Sequence, residues 1–130
     1  GTLPLAAYFQ QANDETFVAI QIENREAVEE VEKIAALKQV DCLFIGPADL
    51  SQSLGVPGDV KHPEVWQAIE RVGRAAAAYG IHWAILPRDL DYARRCVELG
   101  CRMLSMGLDT WVVSRGLDHF QRDYAEFFGD

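Results

Sequence analysis

Two short segments hold the residues best suited to chemistry. In Phe17-Val18-Ala19-Ile20-Gln21-Ile22-Glu23 an apolar run acquires polar side chains only at Gln21 and Glu23, two positions apart and so on one side of an extended chain. In Leu43-Phe44-Ile45-Gly46-Pro47-Ala48-Asp49-Leu50 a second apolar run leaves through a Gly-Pro turn that presents Asp49. If the two runs are neighbouring parallel strands, Glu23 and Asp49 face one another at the carboxyl ends, where folds of this kind bind their ligands. Two carboxylates with no cysteine or histidine beside them suit a hard divalent cation, magnesium or manganese rather than zinc, that keeps positions open for water and substrate. A plainer reading stands beside this one. Glu23 caps the following helix or pairs with a lysine or arginine, and Asp49 merely opens a turn.

Several short apolar runs alternate with stretches of helical period, the pattern of repeated strand-helix units around a parallel sheet. Four strands are expected, at about residues 16–22, 40–45, 82–86 and 103–106. Asn24 caps a helix over residues 25–37, with Val28, Val31, Ile34 and Ala35 as its apolar stripe and Glu29 paired to Lys33 outside it. Pro63 opens the next helix, which runs through Val65, Ile69, Val72, Ala76 and Tyr79 until Gly80 ends it. A third helix over residues 89–99 buries Leu90, Ala93 and Val97 and stops at Gly100. Asp109 caps a last helix with an aromatic stripe through Val113, Leu117, Phe120, Tyr124 and Phe127. Residues 1–13 read as a loop or the tail of a helix.

A chain of 130 residues makes one domain, about half of a typical ~250-residue barrel enzyme. Twelve basic residues against 20 acidic ones give a net charge of −8 with no basic stripe, which excludes nucleic acid and anionic membranes as natural partners. The most apolar stretch, residues 75–86, is too short and too broken to span a bilayer. The chain opens at Gly1 with neither Met nor a basic-then-apolar leader, as an excised or processed segment would. Cys42, Cys96 and Cys101 form no CxxC or zinc pattern, so reduced thiols and a cytoplasmic location are expected. No dinucleotide or P-loop glycine motif occurs, and Ser51, Ser53, Ser105 and Ser114 stand in no nucleophile elbow. His62 reads as a helix cap, His82 as a strand start and His119 as a helix-surface residue; Trp66, Trp83 and Trp111 read as core or interface.

The segments Gln21-Ile22-Glu23-Asn24-Arg25-Glu26-Ala27-Val28 and Leu43 to Gly55, followed by His62-Pro63-Glu64-Val65, closely resemble the HpcH/HpaI aldolases, the class II pyruvate-dependent aldolases. The Glu98-Leu99-Gly100 turn and the Met106-Gly107-Leu108-Asp109-Thr110 segment extend the resemblance along essentially the whole chain. It implies an α/β fold, a (β/α)8 barrel of the phosphoenolpyruvate/pyruvate type, of which residues 1–130 would be a single C-terminal half-barrel with strands five to eight. It implies further that Glu23 and Asp49 hold a divalent metal, magnesium or manganese with cobalt as a further candidate, and that Gln21 lines the site in a catalytic position. The backbone at Gly46, Ala48 and Asp49 would receive the pyruvate carboxylate, and Phe44 and Leu86 would wall the pyruvate methyl. The implied reaction cleaves or forms 4-hydroxy-2-oxo acids from pyruvate and an aldehyde through a pyruvate enolate. Lys33, Lys38 and Lys61, the only lysines, lie off the strands, in keeping with a mechanism that needs no Schiff base.

One departure matters. The family's proton-transferring histidine with its aspartate, and the arginine that polarises the keto group, belong to strands of the first half, so this chain would carry the metal and pyruvate half of the site and be inactive alone. Phe120, Tyr124, Phe127 and Phe128 are too many large apolar groups to leave in water, so a homo-oligomer is expected, and the resemblance adds that the terminal helix packs on a neighbouring subunit. Two alternatives remain. A citrate lyase or malyl-CoA lyase relative would use acyl-CoA in place of the aldehyde and call for more basic residues. A small flavodoxin-like binding domain would have an open sheet content as a monomer, whereas a half-barrel leaves two edges and an interior layer uncovered.

Overall fold

A computed structural model describes residues 3–128. Strands β1 (Ala19–Ile22), β2 (Cys42–Ile45), β3 (His82–Ile85) and β4 (Met103–Leu104) form one parallel sheet in the order β1-β2-β3-β4. Each neighbour in the sheet is therefore the next strand in the chain. A flavodoxin-like sheet has a switch point where the strand order reverses, and the order of these four strands has none, which is not flavodoxin-like topology. The strands are shorter than the apolar runs that announce them. At the entry to β1 the Asp41 carboxylate accepts from Val18 N at 2.7 Å while the Val18 carbonyl accepts from Asp41 N and Cys42 N, so a side chain shares the pairing there with the backbone.

Alternation along the strands assigns two faces. Ile20, Ile22, Leu43, Ile45, Trp83, Ile85 and Leu104 join the helices in one apolar core, whereas Ala19, Gln21 and Met103 on the other face are exposed. The core is covered by α2 (Arg25–Glu29), α3 (Val31–Ala35), α5 (Pro63–Tyr79) and α6 (Leu90–Glu98). The expected stripe of α5 is buried through Val65, Ile69, Val72 and Ala76, and Gly80 ends the helix at φ 70°, a left-handed conformation that a glycine adopts without strain. Tyr79 lies outside it, exposed. All three cysteines are free and buried, and burial pushes their thiols up, Cys96 to about 12, so none is poised as a thiolate.

Three helices depart from expectation, and in two of them a distant partner is engaged. The single helix of residues 25–37 is two, broken at Glu30 (φ −99°, ψ 9°). Arg71 on α5 donates to the Glu29 carbonyl at 2.9 Å and grips Glu32 with two nitrogens, while Lys33 pairs with Glu30 rather than Glu29. On α6, capped as expected by Asp89, the buried residues are Tyr92, Ala93 and Cys96, and Leu90 and Val97 face outward. Tyr92 wins the core position by stacking on Trp66, ring centroids 4.4 Å apart, and by donating its hydroxyl to the Val60 carbonyl at 3.2 Å. The last helix is α7 (Asp109–Asp123), followed by α8 (Ala125–Phe128); Asp109 is its first residue rather than its cap, and its stripe is exposed throughout. Where the sequence suggests a loop or helix tail before residue 14, the described residues form a helix, α1 (Leu5–Glu15), likewise with no buried residue.

The Arg71 grip has a pH signature. Hydrogen bonding from Arg71, then from its own backbone amide, holds the Glu32 carboxyl below the ordinary glutamate range. A carboxylate whose folded value is depressed adds stability above its unfolded value and loses it as pH falls through the folded one. Both side chains are more than a third exposed, so screening limits the effect to the order of 0.5 kcal/mol. Denaturant unfolding of Glu32→Gln should show that deficit at neutral pH and none in acid, where both proteins carry a neutral side chain.

Candidate active site

The β1–β2 ladder runs one residue beyond the strands, since Gly46 N donates to the Ile22 carbonyl at 3.2 Å, and this sets Glu23 beside Gly46. The fit is close. A Cβ on Gly46 would lie 2.8 Å from Glu23 Oε2, 3.0 Å from Glu23 Cβ and 3.2 Å from Gln21 Nε2. Gly46 has an ordinary φ of −97°, so room rather than backbone freedom is what requires glycine here. Gln21, on the same side of β1 as the alternation predicts, donates its amide to Glu23 Oε2.

Pro47 follows and begins α4 (Pro47–Ser53), a helix where the sequence suggested only a turn. Proline suits a first helical position because its missing N–H would have no acceptor there. The first helical bond runs from Leu50 N to the Gly46 carbonyl at 2.9 Å, leaving the amides of Ala48 and Asp49 without an acceptor among the described residues. Asp49 stands in the first turn, where the helix dipole favours a negative charge.

Neither plain alternative for the two acids holds. Asn24, not Glu23, caps α2, its Oδ1 accepting from Ala27 N at 2.7 Å. Among the described residues neither Glu23 nor Asp49 pairs with a lysine or arginine, whereas Glu32, Glu70, Asp89 and Asp91 all do. The two acids stand without a counter-charge, the donor chemistry that a hard cation needs. Among the described residues no cluster of three or more His, Cys, Asp or Glu is placed to hold a metal.

Two small networks fix their positions. Arg25 N donates to Ser53 Oγ at 3.0 Å and its guanidinium to the Leu54 carbonyl at 3.3 Å, tying the turn after Glu23 to the end of α4. Ser51, fully buried, donates to the Ala48 carbonyl at 2.6 Å and accepts from Gly58 N at 3.0 Å. That serine secures the loop after α4 on the helix that carries Asp49.

A cavity of about 460 Å³ opens over these strand ends. Gln21, Phe44, Gly46, Ala48, Asp49 and Leu86 all line it, and Glu23 lies against Gly46 and Gln21. Sequence reasoning missed the rest of the wall: Gly58 and Val60 from the loop after α4, Arg88 beyond β3, and Ser105, Leu108 and Trp111 beyond β4. Arg88, Ser105 and Leu108 follow strands and were open to the same carboxyl-end argument. The 55–60 loop carries no such signal. None of the histidines lines the cavity: His62 Nδ1 accepts from Glu64 N as a helix cap, His82 starts β3, and His119 lies exposed on α7.

Replacing Ser51 by alanine leaves the Gly58 amide and the Ala48 carbonyl without their shared partner. We expect a loss of about 1–3 kcal/mol in denaturant unfolding and faster hydrogen exchange at Gly58, with the core amides of β2 unaffected below the global opening.

A family profile described as HpcH/HpaI aldolase/citrate lyase matches residues 5–115. The 2-keto-3-deoxy-L-rhamnonate aldolase of Klebsiella pneumoniae subsp. pneumoniae is 38% identical over 123 residues, covering 92% of this chain and 46% of that protein. The 4-hydroxy-2-oxo-heptane-1,7-dioate aldolase of Salmonella paratyphi C is 40% identical over 111 residues, 85% of this chain and 42% of the relative. A solved HpcH/HpaI aldolase/citrate lyase family protein from Burkholderia cenocepacia superposes with a TM-score of 0.79 at 40% identity, over 88% of this chain and 45% of the other. The chain thus spans about half the length of the relatives it matches. With its sheet, its strand-end acids and its sequence in agreement, the chain belongs to the HpcH/HpaI aldolase/citrate lyase family.

Proposed function

We propose that this chain supplies the pyruvate and metal half of a class II aldolase that cleaves or forms 4-hydroxy-2-oxo acids, as strands five to eight of a (β/α)8 barrel. The observation that carries this reading is the pair of uncompensated acids at the strand ends: Glu23 seated on Gly46, and Asp49 in the first turn of α4, at a cavity walled by Phe44 and Leu86. The half-barrel part draws support from the consecutive strand order, from the exposure of Ala19, Gln21 and Met103 on the outer strands of the face away from the core, and from relatives about twice the length.

A divalent cation between Glu23 and Asp49 would supply Lewis acidity, favouring negative charge on the keto oxygen of pyruvate. The protein's own part is orientation and exclusion. The free amides of Ala48 and Asp49 donate to the pyruvate carboxylate at the positive end of α4. Gln21 holds the Glu23 carboxylate in place through its amide N–H. Phe44 and Leu86 face the methyl, the carbon that becomes nucleophilic, and keep water from it. Proton transfer to the aldol oxygen needs a base within hydrogen-bond reach, and no histidine of this chain lines the cavity. That group belongs to the complementary half, and its absence costs about 10²–10⁴-fold in rate.

Calorimetric titration tests the assignment. Mn²⁺ should bind with pyruvate present, the signal should vanish in Asp49→Ala and Glu23→Gln, and Gly46→Ala should weaken it by about tenfold or more by displacing Glu23. Unchanged binding in Asp49→Ala overturns the reading.

A further inference from the structure

Of the charged side chains lining the cavity, Asp49 is the one acid and Arg88 the one base. We infer that Arg88 receives a carboxylate carried at the far end of the aldehyde substrate, and so sets a preference for acidic over uncharged aldehydes. This rests on the aldolase reading above.

Three observations converge on Arg88. Its guanidinium pairs with no carboxylate among the described residues. The acid adjoining it in sequence is already engaged, because Asp89 pairs with Lys61 at 2.7 Å and accepts from Tyr92 N at 2.9 Å. Asp59, Lys61 and Asp89 line a smaller cavity of about 190 Å³ that shares Gly58, Val60 and Arg88 with the main one. There Asp89 pairs with Lys61, Asp59 Oδ1 accepts from Lys61 N at 3.3 Å, and neither acid forms an ion pair with Arg88 among the described residues.

On the wall that this chain supplies, the other polar groups are already engaged. Asp49 and Gln21 serve the pyruvate end, and Ser105 Oγ is directed to the Gly107 carbonyl at 3.5 Å. Phe44, Val60, Leu86, Leu108 and Trp111 give the remaining wall an apolar character that accepts a hydrocarbon chain. The new carbon–carbon bond forms at the pyruvate methyl, so the aldehyde must extend from there into this apolar space. An unpaired guanidinium on such a wall offers two parallel N–H groups that match a carboxylate in geometry and charge. In a chain with 20 acids to 12 bases, an arginine left unpaired at a cavity is available to an anionic ligand.

The test uses the full-length protein, in which the complementary half of the barrel supplies the base, with Mn²⁺ and pyruvate and two aldehydes of equal length, 5-oxopentanoate and pentanal. The ratio of kcat/KM for the acid to that for the neutral aldehyde should fall about 10–100-fold in Arg88→Ala and recover in part in Arg88→Lys. A ratio unchanged by both substitutions overturns the proposal. Exchange of pyruvate methyl protons with deuterium by the wild-type protein, followed by NMR, needs no aldehyde and separates the two levels. Exchange with an unmoved ratio contradicts the role of Arg88 alone, whereas no exchange contradicts the aldolase reading beneath it.

Discussion

The closest constraint in the molecule is the approach of the Glu23 carboxylate to the backbone at Gly46. A single methyl group in that space would stand 2.8 Å from Glu23 Oε2 and 3.0 Å from Glu23 Cβ, so the Glu23 side chain would have to leave its place. The strand register makes the approach possible, because Ile22 pairs with Ile45 and the ladder continues to Gly46 before the chain turns into α4. Everything that defines the site follows from this seat: Glu23 emerges level with the start of α4, and Asp49 is presented one helical turn away.

The surroundings serve to keep two acids there without a counter-charge. Arg25 reaches across to Ser53 and Leu54 with its backbone and its side chain, so the first βα turn and the second move together. Ser51 does the same for the next loop, and the Tyr92 hydroxyl holds Val60 from α6. These neutral hydrogen bonds contribute about 1 kcal/mol each, comparable to a helix cap, yet they decide geometry more than stability. A site of this kind favours whatever positive charge can satisfy both carboxylates, and family membership gives the proposed pyruvate chemistry its context.

Much of the fold is legible in the sequence because local signals and global architecture agree. The four apolar runs correspond to the four strands, and Asn24, Pro63 and Gly80 mark helix ends. Gln21, Glu23 and Asp49 stand out by residue type alone, as polar groups at the carboxyl ends of apolar runs. Two of the misses share one cause, which is that remote partners outvote local pattern. Arg71, 39 residues from Glu32, breaks the second helix; Trp66 and Val60 turn Tyr92 rather than Leu90 into the core. Helix α4 has seven residues and a Gly-Pro opening that reads equally well as a turn. Arg88 and the 55–60 loop enter the cavity wall only through the packing of the strands that carry them, and no spacing rule announces that.

Glu23 and Asp49 together holding one divalent cation in contact with pyruvate is the claim on which the proposed chemistry turns. Electron paramagnetic resonance of bound Mn²⁺ with ¹³C-carboxyl pyruvate addresses it directly. The expected result is a single bound ion whose spectrum acquires a ¹³C coupling when labelled pyruvate is added, with both features absent in Glu23→Gln. A bound ion with no coupling to pyruvate, or a coupling that survives in Glu23→Gln, would contradict it.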